Sequence, residues 1–129
     1  MPHKMHHLGT EVTDLARSEA FYVDLLGFTR VGSCELPAIG RRLVFLDLDG
    51  VCVELLCAPG NTAYVAAPAS QAGLKHLALE TTDLRGDVER LRAAGVTIIE
   101  EPTDIPAVSA AIAFVADPDG LPVELWQNL

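Results

Sequence analysis

The chain has 129 residues, half of them hydrophobic, and a formal net charge of −9. That length suits one compact domain or two very small modules sharing a core, and the acidic balance argues against nucleic acid and anionic membranes as partners. No apolar run approaches the roughly 20 residues that span a bilayer, and "MPHKMHH" leads into no signal-peptide h-region, so a soluble, cytoplasmic protein is expected.

In chain order, residues 6–12 read as a short strand carrying His6 and His7. "TDLARSEAFYVDLLG" then reads as a helix: Thr13 or Asp14 can cap it, Leu15, Phe21, Tyr22, Leu25 and Leu26 recur at helical spacing, and Gly27 stops it. Strand character follows at 28–34, 42–48 and 51–57. "DLDG" is a tight turn between the last two of these strands. The stretch 58–73, rich in Ala, Pro, Gly and Ser, reads as a linker, and its length would also suit a lid over a site. A strand at 75–81 and a helix, "TDLRGDVERLRAAG", come next, with Thr82 or Asp83 as cap and Gly95 as stop. Strand character returns at 96–101, 109–116 and 121–127, with "DPDG" turning the last pair. Cys34, Cys52 and Cys57 make an odd count without disulfide or zinc spacing, so reduced thiols are expected.

The second half repeats the first. "HLGTEVTDL" from His7 returns as "HLALETTDL" from His76, identical at six of nine positions and offset by 69. "FLDLDGVCVELL" (45–56) matches "FVADPDGLPVELW" (114–126), where Glu54 and Glu124 are offset by 70. The order is therefore βαβββ twice: a single α+β domain of two modules, about 5–57 and 74–127, in pseudo-twofold arrangement.

Alternate side chains of a strand share a face. Glu54 lies between Val53 and Leu55, and Glu124 between Val123 and Leu125, so each carboxylate needs compensation if buried. A pseudo-twofold would gather His7, Glu54, His76 and Glu124. Two imidazoles and two carboxylates can hold a divalent cation and leave two octahedral positions open. The plainer alternative is histidines in local hydrogen bonds and glutamates in solvent. By parity Glu11 and Glu80 share the inward face as acid/base or supporting groups, unless they lie exposed at the strand ends. Cys52 and Trp126 could line the pocket or merely pack. His6 is expected to face away from His7, and Lys75 stands in its place in the second half.

"HHLGTEVTDLARSEAFYVDLLGF", "GLKHLALETTDL" and "AFVADPDGLPVEL" resemble vicinal-oxygen-chelate (glyoxalase-fold) proteins over nearly the whole chain. That family includes glyoxalase I (lactoylglutathione lyase), methylmalonyl-CoA epimerase, extradiol dioxygenases, fosfomycin-modifying enzymes and metal-free bleomycin-resistance proteins. The spacing most resembles small bacterial glyoxalase I. The resemblance implies mixed, curved sheets around a cavity. It implies a divalent ion (Ni, Zn, Co, Mn or Fe) on His7, Glu54, His76 and Glu124, a small-molecule substrate chelated through neighbouring oxygens, and a homodimer. It implies a lyase or isomerase working through an enediolate, with Glu124 as base and Glu54 as its partner. The alternatives are an extradiol-type oxygenase, which the fourth ligand disfavours, and a metal-free drug- or metabolite-binding protein. Two positions depart from the relatives. Glu11 stands where glyoxalase I usually has an arginine that contacts glutathione, and Ala38 in "LPAIG" stands where the epimerases usually have a second base.

Overall fold

A computed structural model describes all residues, 1–129, and the chain divides into two compact units, Met1–Ala63 and Tyr64–Leu129. The first unit contains β1 (Leu8–Glu11), α1 (Leu15–Ala20), β2 (Thr29–Leu36), β3 (Arg41–Leu48) and β4 (Val51–Cys57). The second contains β5 (Leu77–Glu80), α2 (Leu84–Ala93), β6 (Ile98–Ile105), β7 (Ala110–Ala116) and β8 (Pro122–Asn128). Each unit is βαβββ, as the repeat implied.

Each sheet is mixed and has four strands, in the orders β1-β4-β3-β2 and β5-β8-β7-β6. The first strand pairs parallel to the last, with Gly9 opposite Glu54 and Ala78 opposite Glu124. The remaining pairs are antiparallel, as consecutive strands joined by short connections must be. The parallel pair needs a crossover, and the helix and two central strands supply it.

One face of each sheet is buried against its helix. Val44, Leu46, Val53 and Leu55 alternate into the core of the first unit with Leu15, Tyr22 and Phe28. Val115, Val123 and Leu125 do the same in the second, against Leu84, Val88 and Leu91. Because neighbours on a strand point oppositely, burying Val53 and Leu55 forces Glu54 onto the other face, and burying Val123 and Leu125 does the same to Glu124.

The capping aspartates are the second of each candidate pair. Asp14 accepts from Arg17 N at 3.1 Å and Asp83 from Gly86 N at 3.1 Å. Gly27 and Gly95 lie beyond the helix ends at φ 84° and 87°, where a Cβ would be strained.

Two local expectations are corrected. The first helix is not α-helical to Gly27: after six residues it widens into a π turn at Phe21–Leu25. There Phe21 and Tyr22 are both buried, edge to face at 5.0 Å, and Tyr22 also meets Phe28 at 5.5 Å. Aromatic packing thus overrides the 3.6-residue period. The strands 6–12 and 75–81 are shorter, starting at Leu8 and Leu77, so His6, His7 and His76 lie just before them. Within the connection at 58–73, Asn61 donates to Val12 O at 2.9 Å, and Tyr64 N donates to Asp119 O at 3.0 Å.

Candidate functional site

Each unit brings one histidine to one glutamate. In the first, His7 Nε2 lies 3.7 Å from Glu54 Oε1; in the second, His76 Nε2 lies 3.0 Å from Glu124 Oε2. The carboxylate side chains keep only 14% and 10% of their exposure, so each is costly to hold charged without a partner. Neither is offered a backbone N–H, so the imidazole is the compensating group in each unit.

A phenylalanine backs each pair. Phe45 is opposite Glu54 on β3, and its ring meets His7 edge to face with centroids 6.1 Å apart. Phe114 is opposite Glu124 on β7 and meets His76 in the same way at 5.1 Å. These two aromatics were not singled out from the sequence. The signal was present, since both open the second matched stretch and differ by the same 69 positions as the histidines.

The expectation that His6 faces away from His7 is wrong. Their Nδ1 atoms are 2.7 Å apart and their rings 5.0 Å apart, edge to face. Strand alternation does not apply, because both precede the first residue of β1. His6 occupies Nδ1 of His7 and leaves Nε2 for the Glu54 side.

The other inward candidates are tied up by neighbours. Glu11 Oε1 is ion-paired with Arg41 at 2.6 Å, and its Oε2 accepts from Asn61 at 2.9 Å. Glu80 accepts from Asn128 at 3.2 Å, and Asn128 in turn accepts from Trp126 Nε1 at 2.8 Å. Cys52 is half-buried opposite Asp47, and all three cysteines are free. Burial first, then the carboxylates of Asp47 and Glu54, pushes the Cys52 thiol above its ordinary range. At neutral pH it is a neutral thiol and a poor ligand.

The donor set can be tested against a divalent ion. Two ligands at right angles, each about 2.1 Å from one metal, are themselves about 3.0 Å apart. The His76–Glu124 separation meets that, and the His7–Glu54 separation exceeds it by a fraction of an ångström. Nitrogen with carboxylate oxygen suits first-row divalent metals. Within either unit no third histidine, cysteine or carboxylate joins the pair to form a group of three. Each unit therefore offers one imidazole nitrogen and one carboxylate as donors.

A cavity of about 310 Å³ lies elsewhere in the first unit, between α1 and the β2–β3 ladder, lined by Ala16, Glu19, Arg30 and Arg42 among others. It holds no histidine, and Arg30 is already paired with Glu19 at 3.2 Å. Only the His–Glu pairs bring an imidazole to a carboxylate.

Residues 4–125 match the family profile described as Glyoxalase/Bleomycin resistance protein/Dioxygenase superfamily. The chain is 34% identical over 126 residues to the uncharacterized protein YaeR of Escherichia coli, covering 97% of this chain and 96% of that one. It is 33% identical over 126 residues to a lactoylglutathione lyase of Haemophilus influenzae, covering 95% and 90%. Among solved structures it resembles the trypanothione-dependent glyoxalase I of Leishmania major, at 31% identity and TM-score 0.81, covering 98% of this chain and 87% of that one.

Proposed function

The chain belongs to the glyoxalase/bleomycin resistance protein/dioxygenase superfamily, and from that premise we propose that it is a divalent-metal-dependent lyase or isomerase of the glyoxalase type. Its substrate is a small molecule with two neighbouring oxygens, and the reaction moves a proton between carbon and a carboxylate. The observation that carries this reading is the buried Glu124 carboxylate whose partner is His76 Nε2 at 3.0 Å, repeated in the other unit as Glu54 and His7. The lactoylglutathione lyase relative supports the reaction class.

His7, Glu54, His76 and Glu124 are the residues that hold the ion. The ion, when bound, supplies the positive charge that makes the C–H beside a substrate carbonyl acidic. Glu124 removes that proton. His76, 3.0 Å away, keeps the carboxylate aimed. Glu124, protonated by that step, then delivers the proton to the neighbouring carbon, and Glu54 is its counterpart in the first unit. Phe45 and Phe114 meet the histidine rings edge to face and support their tilt.

The test is metal analysis followed by solvent exchange. Protein reconstituted with Ni(II) or Co(II) should hold the ion stoichiometrically and wash deuterium from D₂O into the C–H of a hemithioacetal or 2-oxo substrate. Absence of stoichiometric metal, with binding untouched by His76→Ala, would sink the enzyme reading.

A further inference from the structure

We propose that Arg41, clamped by Glu11, is an anion-recognising subsite on the first unit. It selects substrates that carry a carboxylate or phosphate at the end remote from the reacting oxygens. The proposal rests on the metal-dependent reading of His7 and Glu54 given above.

The placement follows from strand parity. Arg41, Leu43 and Phe45 alternate along β3, and Phe45 lies against His7 and opposite Glu54. Arg41 therefore leaves the sheet on the face of the His7–Glu54 pair. Glu11 shares that face with Gly9, which is opposite Glu54 on β1. Two residues of strand separate Gly9 from Glu11, so the clamp lies about 7 Å along β1 from the level of Glu54.

The clamp is fully determined on its acidic side. Oε1 of Glu11 takes the Arg41 guanidinium at 2.6 Å, and Oε2 takes Asn61 Nδ2 at 2.9 Å. The same amide nitrogen donates to Val12 O at 2.9 Å, which fixes Asn61 to the backbone. Glu11 thus has a partner on each oxygen. Arg41 does not: a guanidinium has five N–H donors in a planar fork, and Glu11 engages one terminal nitrogen. The side chain keeps 36% of its exposure, so the remaining donors are reachable. Lysine could supply the charge but not the fork.

The second unit is an internal control. Its strand β7 begins with Ala110, fully buried, where β3 begins with Arg41. Glu80, the counterpart of Glu11, takes the neutral Asn128 instead. At this position the cation is a feature of the first unit alone. From the sequence, Glu11 stood out as an acid where glyoxalase I usually has an arginine. The structure shows it already paired, with a guanidinium brought in from β3.

Hydroxamates separate this proposal from the reading beneath it, because they chelate a metal through two neighbouring oxygens. Protein loaded with Ni(II) is titrated calorimetrically with hexanohydroxamate and with adipic monohydroxamate, which has a carboxylate in place of the terminal methyl. The wild type should prefer the carboxylate probe by about tenfold or more, as a charge-assisted hydrogen bond predicts. Arg41→Gln should bring the two to parity, and Arg41→Lys should restore part of the preference. Equal binding of the two probes by the wild type overturns the proposal and leaves the metal reading standing, even if a variant misfolds. So does a preference that persists in Arg41→Gln. Failure of both probes to bind in a metal-dependent way overturns the metal reading and this proposal with it.

Discussion

His76 Nε2 stands 3.0 Å from Glu124 Oε2, whereas in the repeated unit His7 Nε2 stands 3.7 Å from Glu54 Oε1. The sequence repeat makes the two pairs equivalent, but the geometry does not. His76 also lies closer to its phenylalanine, 5.1 Å against 6.1 Å, and His7 has His6 on its other nitrogen.

The tighter pair, with the more buried carboxylate, should matter more to proton transfer. Glu124→Gln is expected to lower the rate of solvent deuterium exchange by about 10²–10⁴-fold, the usual range for a general base. Glu54→Gln should cost less. Exchange rates measured at saturating metal decide this, and equal losses would remove the assignment of Glu124 as the first base.

Ser18 Oγ is buried without a hydrogen-bond partner, on the core side of α1. A buried unsatisfied hydroxyl costs about 1–3 kcal/mol. Ser18→Ala, which also improves helix propensity, should therefore stabilise the protein by about 1 kcal/mol. Urea denaturation of both proteins reads this directly. A lower midpoint for the variant would mean that the hydroxyl is satisfied in solution.

The helix caps should behave as ordinary caps. Asp83→Ala removes the acceptor for Gly86 N and should cost about 1 kcal/mol. Asn at the same position should retain most of that stability. Thermal melts of the two variants make the comparison.

One ion pair predicts a pH dependence. The hydrogen bond from Arg92, assisted by its charge, holds the Glu101 carboxyl below its ordinary value of 4.5. A carboxyl with a depressed native pKa binds fewer protons when folded. Its stabilising effect is present above the unfolded value and is lost as pH falls through the native one. The pair is fully exposed, so the effect is small and sensitive to salt. Glu101→Gln should melt slightly below the wild type at pH 7 in low salt, and the two melting curves should converge as the pH drops below about 4. A difference that grows towards acid would reverse the sign.

Much of the fold was legible. The offset of 69 placed both βαβββ units, and the alternation around Glu54 and Glu124 told which residues leave the helix-covered face. The aspartate caps and stop glycines were also readable, because they answer to the backbone needs of a few adjacent residues. The π turn was not, since it depends on where Phe21 and Tyr22 meet the rest of the core. The contact between His6 and His7 was missed because parity was applied to residues that precede the strand.

The sequence by itself determined which residue types recur and on which face of each strand they stand, because strand and helix periods are properties of the local chain. Only the tertiary structure decided what each side chain meets. Strand pairing set Phe45 against His7, Arg41 against Glu11 and Asn128 against Glu80. These partners are separated by 38, 30 and 48 positions in the sequence, and nothing in the local pattern of one side chain names the other. Glu11 shows the difference most plainly. Its identity and its face were readable, but its charge had to be judged with the arginine that β3 brings across the sheet.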